Sequence, residues 1–141
     1  MPMITKQEVQ AICESDLPLV SILGAQIESI GEGKATVRLP YKHDLVRPGG
    51  TVSGPAMMAI ADYAFFISLM SKIGPELMAV TSNLTCNFLR KPEPKDLEAR
   101  SVILKLGKRL AFGEVFIFSD GQDEPVAHVT CTYSIPEPKV V

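Results

Sequence analysis

The sequence predicts an α+β fold in which a curved antiparallel sheet wraps around one long central helix. Three observations carry this prediction. The run from Gly54 to Ser71, GPAMMAIADYAFFISLMS, is apolar on every side when wound as a helix, and such a helix has to be buried all round. One hairpin before it and four strand-like stretches after it, separated by turn residues, make about six strands. A flat sheet would leave half of that helix in water, so the sheet is expected to curl around it, with a second subunit covering what remains.

The elements follow in order. Thr5 and Glu8 have the spacing of a capping box, which predicts a short helix over about residues 5 to 15, ended by Pro18. AQIESI and KATVRL flank Gly31-Glu32-Gly33 and read as a hairpin. A long loop rich in Pro and Gly, from Pro40 to Ser53, leads into the apolar helix, where Pro55 suits the first turn. In MAVTSNLTCNFL, Val80, Ser82, Leu84, Cys86 and Phe88 alternate with Thr81, Asn83, Thr85 and Asn87. Lys91–Lys95 breaks that strand. LEARSVILKL, the turn at Gly107-Lys108-Arg109, LAFGEVFIFS, the turn at Asp120-Gly121 and VAHVTCTYSI complete the series. LAFGEVFIFS places Phe112, Phe116 and Phe118 on one face and Val115 and Ile117 on the other, so the outer sheet surface is also expected to be covered in an oligomer.

Composition sets bounds. The 141 residues suit one domain spanning 1–141, and a net charge of −2 lacks the basic footprint of a nucleic-acid binder. The three cysteines, Cys13, Cys86 and Cys131, lie far apart with no CxxC pair or Cys/His cluster. That excludes a zinc site or a disulfide framework, so the thiols are expected to be buried and reduced, with no metal or cofactor. The apolar run is about long enough to span a bilayer. An Asp near its centre would cost ~3 kcal/mol there, and no second such run exists. MPMITKQEVQ has neither the basic start nor the apolar core of a signal peptide. A cytoplasmic protein with no membrane partner is expected.

Asp62 is the only charged residue in the apolar run. Packing does not ask for an acid there, and a carboxylate enclosed in such a helix is expected to have a raised pKa. Asp62 is therefore the prime candidate for chemistry; the plain alternative is a structural acid bonded to backbone or to a partner chain.

These residues resemble the hotdog-fold acyl-CoA thioesterases of the phenylacetic acid degradation (PaaI-like) type. The family pattern is Asn-x-x-Gly-x-x-His-Gly-Gly-x-x-x-x-Leu-x-Asp. Here Arg47, Gly50, Ser53, Gly54, Pro55, Ile60 and Asp62 stand in that register. Val80-Thr81-Ser82-Asn83, Asn87 through Pro92, Leu106 through Ala111, and Ala127 with Thr130, Thr132 and Tyr133 also match, so the resemblance covers nearly the whole chain. Arg47 replaces an amide, Ser53 a His and Pro55 a Gly.

The resemblance implies hydrolysis of an acyl-CoA thioester, with Asp62 as base or nucleophile. The Gly54 N–H, in a first helical turn whose donors lack helical partners, would polarise the carbonyl. Thr81 matches a family hydroxyl that positions water or the acid. Arg47, Gly50 and Ser53, the last also an N-cap, would border the substrate, and Tyr63 and Phe66 would wall the acyl group. Arg90, Lys91, Lys95, Lys108 and Arg109 would meet CoA phosphates. Gly54 and Asp62 lie eight residues apart, about 12 Å of helix axis. One helix cannot bring both to a single carbonyl, so two antiparallel chains are expected to share each site in a homodimer, with dimers pairing into a homotetramer. Two rivals stand beside this reading. A non-catalytic acyl-CoA-binding module is favoured by the Arg47 and Ser53 departures. A dehydratase on the same fold would need a loop His, but His43 lacks the His-Phe-Pro setting.

Overall fold

The computed structural model describes residues 1–137. Helix α1 (Lys6–Asp16) starts at the expected capping box: Thr5 Oγ1 accepts from the Glu8 N–H, and the Thr5 N–H donates to Glu8 Oε1, each at 3.1 Å. The first helix stops before Pro18, as expected. Pro18 opens a second helix, α2 (Pro18–Leu23), as its first residue, where the missing N–H costs nothing. The predicted hairpin follows as β1 (Gln26–Gly31) and β2 (Lys34–Leu39). The long loop contains a single 3-10 turn at His43–Leu45 and one bridge, Val46 to Val52. Then come α3 (Gly54–Ile73), β3 (Val80–Phe88), β4 (Leu97–Leu106), β5 (Leu110–Ser119) and β6 (Ala127–Ser134).

The strands form one antiparallel sheet in the order β1-β2-β4-β5-β6-β3. This corrects the expected curl. The sheet is open, β1 and β3 are its two edges, and α3 lies on one face, chiefly across β2, β4 and β5. The N-terminal segment touches α3 at two points instead. Cys13 on α1 meets Tyr63 of α3 in a buried contact, and the Met3 N–H donates to the Ser71 carbonyl at 2.8 Å. A second correction concerns burial. Pro55 and Met58 are exposed, and Ala59 and Asp62 half-buried, so a stripe at i, i+3, i+4, i+7 of α3 stays open. By length and composition α3 would suffice to cross a membrane, but 72% of its apolar window is buried inside this fold.

The core lies between α3 and the inner face of the sheet. Val37, Ala99, Val115 and Val129 point inward and are fully buried, while Glu98, Glu114 and His128 take the opposite face, as alternation predicts. Phe112, on that outer face, is 41% exposed. His128 pairs there with Glu114 at 2.8 Å and stacks on Phe116, a structural arrangement. Two buried polar pairs are matched: Ser68 bonds Ser101 at 2.8 Å, and Ser71 Oγ accepts from the Gly33 N–H at 2.8 Å, whereas the buried Thr51 hydroxyl has no partner among the described residues. Cys13 and Cys131 are buried as expected, whereas Cys86 is only half-buried; all three are free thiols.

Gly113 on β5 allows the helix to seat. A Cβ there would lie 2.2 Å from the Val102 carbonyl oxygen and 2.6 Å from the ring of Phe65, which is itself fully buried. Gly113→Ala is expected to destabilise the fold by about 3 kcal/mol, the upper part of the usual overpacking range. Urea denaturation measures this, and an unchanged midpoint would show that the sheet yields at no cost.

Candidate active site

Asp62 projects from the middle of α3 toward the end of the sheet where β3 begins and β6 ends. Its Oδ1 accepts two hydrogen bonds, from Thr81 Oγ1 at 2.7 Å and from the Tyr133 hydroxyl at 2.8 Å. The same Tyr133 hydroxyl lies 3.2 Å from the Asp62 carbonyl oxygen. Among the described residues, Oδ2 accepts no hydrogen bond. Both donors on one oxygen fix the plane of the carboxylate and leave the other oxygen available. Burial, and then the charge of Asp62, raise the Tyr133 phenol above its ordinary range, so it remains a donor. The same two causes push the Cys131 thiol up to about 12.

Thr81 reaches Asp62 because β3 is irregular. In the ladder with β6, Thr81 pairs with Tyr133, but the next pairs are Asn83 with Thr132 and Leu84 with Cys131. Ser82 is the extra residue of a bulge. Paired residues share a sheet face, so Thr81 lies on the same inner face as Leu84 and Cys86. The strict alternation read from the sequence had set it opposite to them. Bulges commonly re-aim a side chain in this way.

Beside Asp62 lies a cavity of about 420 Å³. It is walled mainly by apolar side chains of α1, α2 and α3, among them Leu17, Val20, Leu23 and Phe66. Tyr63, Thr81 and Tyr133 also line it.

The other end of the site is the start of α3. Ser53 caps the helix, its Oγ accepting from the Ala56 N–H at 3.4 Å, and the Met57 N–H bonds the Ser53 carbonyl. Pro55 has no N–H. Gly54 is thus the one first-turn donor for which neither helix nor cap supplies a partner. It borders a second cavity of about 510 Å³ lined by Arg47, Thr51, Phe88, Arg90 and Lys91 among others. An added Cβ on Gly54 would come within 3.2 Å of the Phe88 ring. Gly54 sits by the last residue of β3 and Asp62 by its second, in different cavities.

The Thioesterase superfamily pattern matches residues 49–126, from the glycine loop through α3 to the start of β6. The chain belongs to the thioesterase superfamily of hotdog-fold proteins. Within it the protein is closely related to the PaaI-like acyl-CoA thioesterases. A protein of Silicibacter sp. TM1040, provisionally described as a thioesterase, has a structure similar to this one with a TM-score of 0.87 and 39% identity, over 96% of this chain and 94% of that one. Phenylacetic acid degradation protein PaaI of Thermus thermophilus, solved as a point mutant, is similar with a TM-score of 0.75 and 28% identity, over 84% and 99% of the two chains. A protein of Sulfurisphaera tokodaii, provisionally named an esterase, is 30% identical over 122 residues, covering 86% of this chain and 90% of its own. Membership supports a hydrolase activity on thioesters in general.

Within this thioesterase-superfamily chain the other predicted residues divide. Thr81, Tyr63 and Phe66 gather around Asp62, and Arg47, Arg90 and Lys91 around Gly54. Arg90 is engaged by Glu124 and the Pro125 carbonyl. Gly50 lines neither cavity. Its φ of 82° makes a turn that only glycine adopts easily, and its carbonyl accepts from the Tyr41 hydroxyl at 2.8 Å. Lys108 and Arg109 form the β4–β5 turn, at the sheet end that carries Thr81, and Arg109 is tied to Glu137 and the Ile135 carbonyl. Tyr133 was not among the predicted site residues. The available signal was a phenol in an otherwise apolar inward alternation, Ala127, Val129, Cys131, Tyr133, since a buried hydroxyl needs a partner.

Proposed function

We propose that the protein hydrolyses acyl-CoA thioesters, with Asp62 of one chain and the Gly54 N–H of a second chain acting on the same carbonyl. The observation that carries this reading is the Asp62 carboxylate, held through Oδ1 by Thr81 and Tyr133 with Oδ2 free beside an apolar cavity. The acyl group occupies that cavity. Oδ2 takes the proton from an attacking water, or itself attacks the carbonyl carbon. The developing oxyanion is met by the Gly54 N–H and the positive end of α3. The carbon–sulfur bond then breaks and the CoA thiolate leaves to take up a proton; on the nucleophilic route, water then hydrolyses the acyl–Asp62 anhydride to free acid and regenerates the carboxylate.

The sheet edge supports the two-chain reading. β3 has no second strand neighbour among the described residues, its side chains are largely exposed, and the open stripe of α3 includes Asp62, which bonds Thr81 near the start of β3. An exposed edge of nine residues invites pairing with a second copy. Antiparallel pairing of two β3 edges about a two-fold axis sets the Thr81 end of one beside the Phe88 end of the other. That places Asp62 of one chain opposite Gly54 of its partner, with Arg47, Arg90 and Lys91 around the thiol side where CoA phosphates need cations.

A panel of aromatic, short and medium acyl-CoAs, assayed for free thiol release, tests the activity. Turnover of at least one acyl-CoA is the expected result. Binding without turnover across the panel would replace hydrolysis with a carrier or sensor role. Tyr133→Phe removes one of the two donors while keeping the ring that packs on Phe65 at 5.1 Å. It is expected to lower kcat by about tenfold with KM little changed, the cost of one lost charge-assisted hydrogen bond. An unchanged kcat would leave Thr81 as the only positioning donor.

A further inference from the structure

Two side chains stand between the cavity beside Asp62 and a neighbouring one. A third cavity, of about 430 Å³, lies under α1, α2 and the start of β1, lined by Gln10, Cys13, Ser21, Ala25 and Ile27 among others. Tyr63 and Val20 are the two residues that line both it and the cavity at Asp62. Tyr63 is 7% exposed. Its hydroxyl is 3.3 Å from the Cys13 sulfur, a contact that ties the α3 ring to α1. Burial raises both the phenol and the thiol, so neither ionises near neutral pH, and the contact persists across that range. The ring is thus a pinned partition: an apolar chamber containing the carboxylate on one side, a more polar recess bordered by the exposed Gln10, Glu14 and Ser21 on the other.

We infer that Tyr63 is the end wall of the acyl subsite, with Val20 beside it, and that it limits the substrate to compact acyl groups. This rests on the hydrolase reading only in taking the chamber at Asp62 as the acyl subsite. At roughly 30 Å³ per heavy atom, the share of a water molecule in the liquid, a chamber of about 420 Å³ holds on the order of a dozen such atoms. Some of that room goes to the reacting carbonyl and its water. A medium straight chain or a single aromatic ring fills the remainder. A hexadecanoyl chain does not fit unless the partition is removed and its tail passes into the recess behind.

The test compares chain-length dependence with the wall present and absent. Calorimetric binding of a series from butanoyl-CoA to hexadecanoyl-CoA is measured on Asp62→Asn protein, where no turnover intervenes, and kcat/KM is measured on protein with Asp62 intact. With Tyr63 present, affinity is expected to rise about fourfold per added methylene and to stop rising before dodecanoyl. With Tyr63→Ala the rise is expected to continue to hexadecanoyl, which gains about tenfold or more. Val20→Ala shifts the limit the same way by less, and it serves as the test if Tyr63→Ala does not fold. Tyr63→Phe keeps the ring and is expected to keep the limit, which separates the wall from the bond to Cys13.

The inference is overturned if the limit stays in place in both alanine variants, or if the unmodified wall shows no limit at all. Its failure is distinct from that of the hydrolase reading. A limit that moves in binding without any turnover keeps the wall and removes the enzyme; turnover with an immovable limit does the reverse.

Discussion

Asp62→Asn is expected to lower kcat for acyl-CoA hydrolysis by about a thousandfold, the middle of the range for losing a catalytic base, with substrate binding largely retained. The structure makes this a clean substitution. The amide oxygen of Asn can accept from Thr81 and Tyr133 as Asp62 Oδ1 does, at 2.7 and 2.8 Å. What changes is the second oxygen, which becomes an NH₂ group unable to take a proton or to attack. Thermal unfolding should therefore move little, because the residue is half-buried at the rim of a cavity and the core contacts of α3 come from Phe65, Ile67 and Leu69 on other sides of the helix. Asp62→Ala should be equally inactive but leaves the Tyr133 hydroxyl without its carboxylate partner, a cost of about 1–3 kcal/mol for a buried donor. Retained turnover in the Asn variant would remove Asp62 from the mechanism and leave it as the structural acid that the sequence also allowed.

The sequence made the strands legible and the surroundings of the helix less so. β6 was readable because its polar and apolar residues alternate without a break, and β4 and β5 because their bounds fall where the turn residues stand. The bulge in β3 left no trace, since Thr81, Ser82 and Asn83 are all small and polar and a one-residue slip changes neither composition nor length. Thr81 was placed at the site by resemblance; the reason it reaches Asp62 is visible only in the ladder. Curling the sheet was an inference from the need to cover an apolar helix. It erred because α3 is not covered on every side: Pro55 and Met58 are exposed and Ala59 and Asp62 only half-buried, so an open sheet meets the need. The open stripe was hidden for a different reason. Pro55, Met58 and Ala59 are apolar, and nothing in residue type separates an apolar surface left open from one buried in its own core. The isolation of Asp62 in the chain was the sequence signal for the site; its position on that open stripe is visible only in the fold.

Two inactive variants are expected to restore one another. Asp62→Asn lacks the carboxylate oxygen. Gly54→Val keeps the carboxylate but adds bulk where a Cβ would already press within 3.2 Å of the half-exposed Phe88 ring, closing the approach to the Gly54 N–H. Each homodimer then carries two defective sites. In a mixed dimer one site combines both defects, while the other joins an intact Asp62 from the Gly54→Val chain to an intact Gly54 from the Asp62→Asn chain. Random pairing of equal amounts makes half the dimers mixed, so activity should return to about a quarter of all sites, as a symmetric two-chain site requires. Subunit exchange has to be shown independently, for example by differently tagged chains recovered together, and both variants must be folded when alone. The helix geometry makes the outcome decisive: about 12 Å of axis separates the two groups within one chain, too far for both to reach a single carbonyl. With exchange demonstrated, an inactive mixture would mean that each chain completes its own site, and the pairing of β3 edges as the origin of the active site would have to be given up.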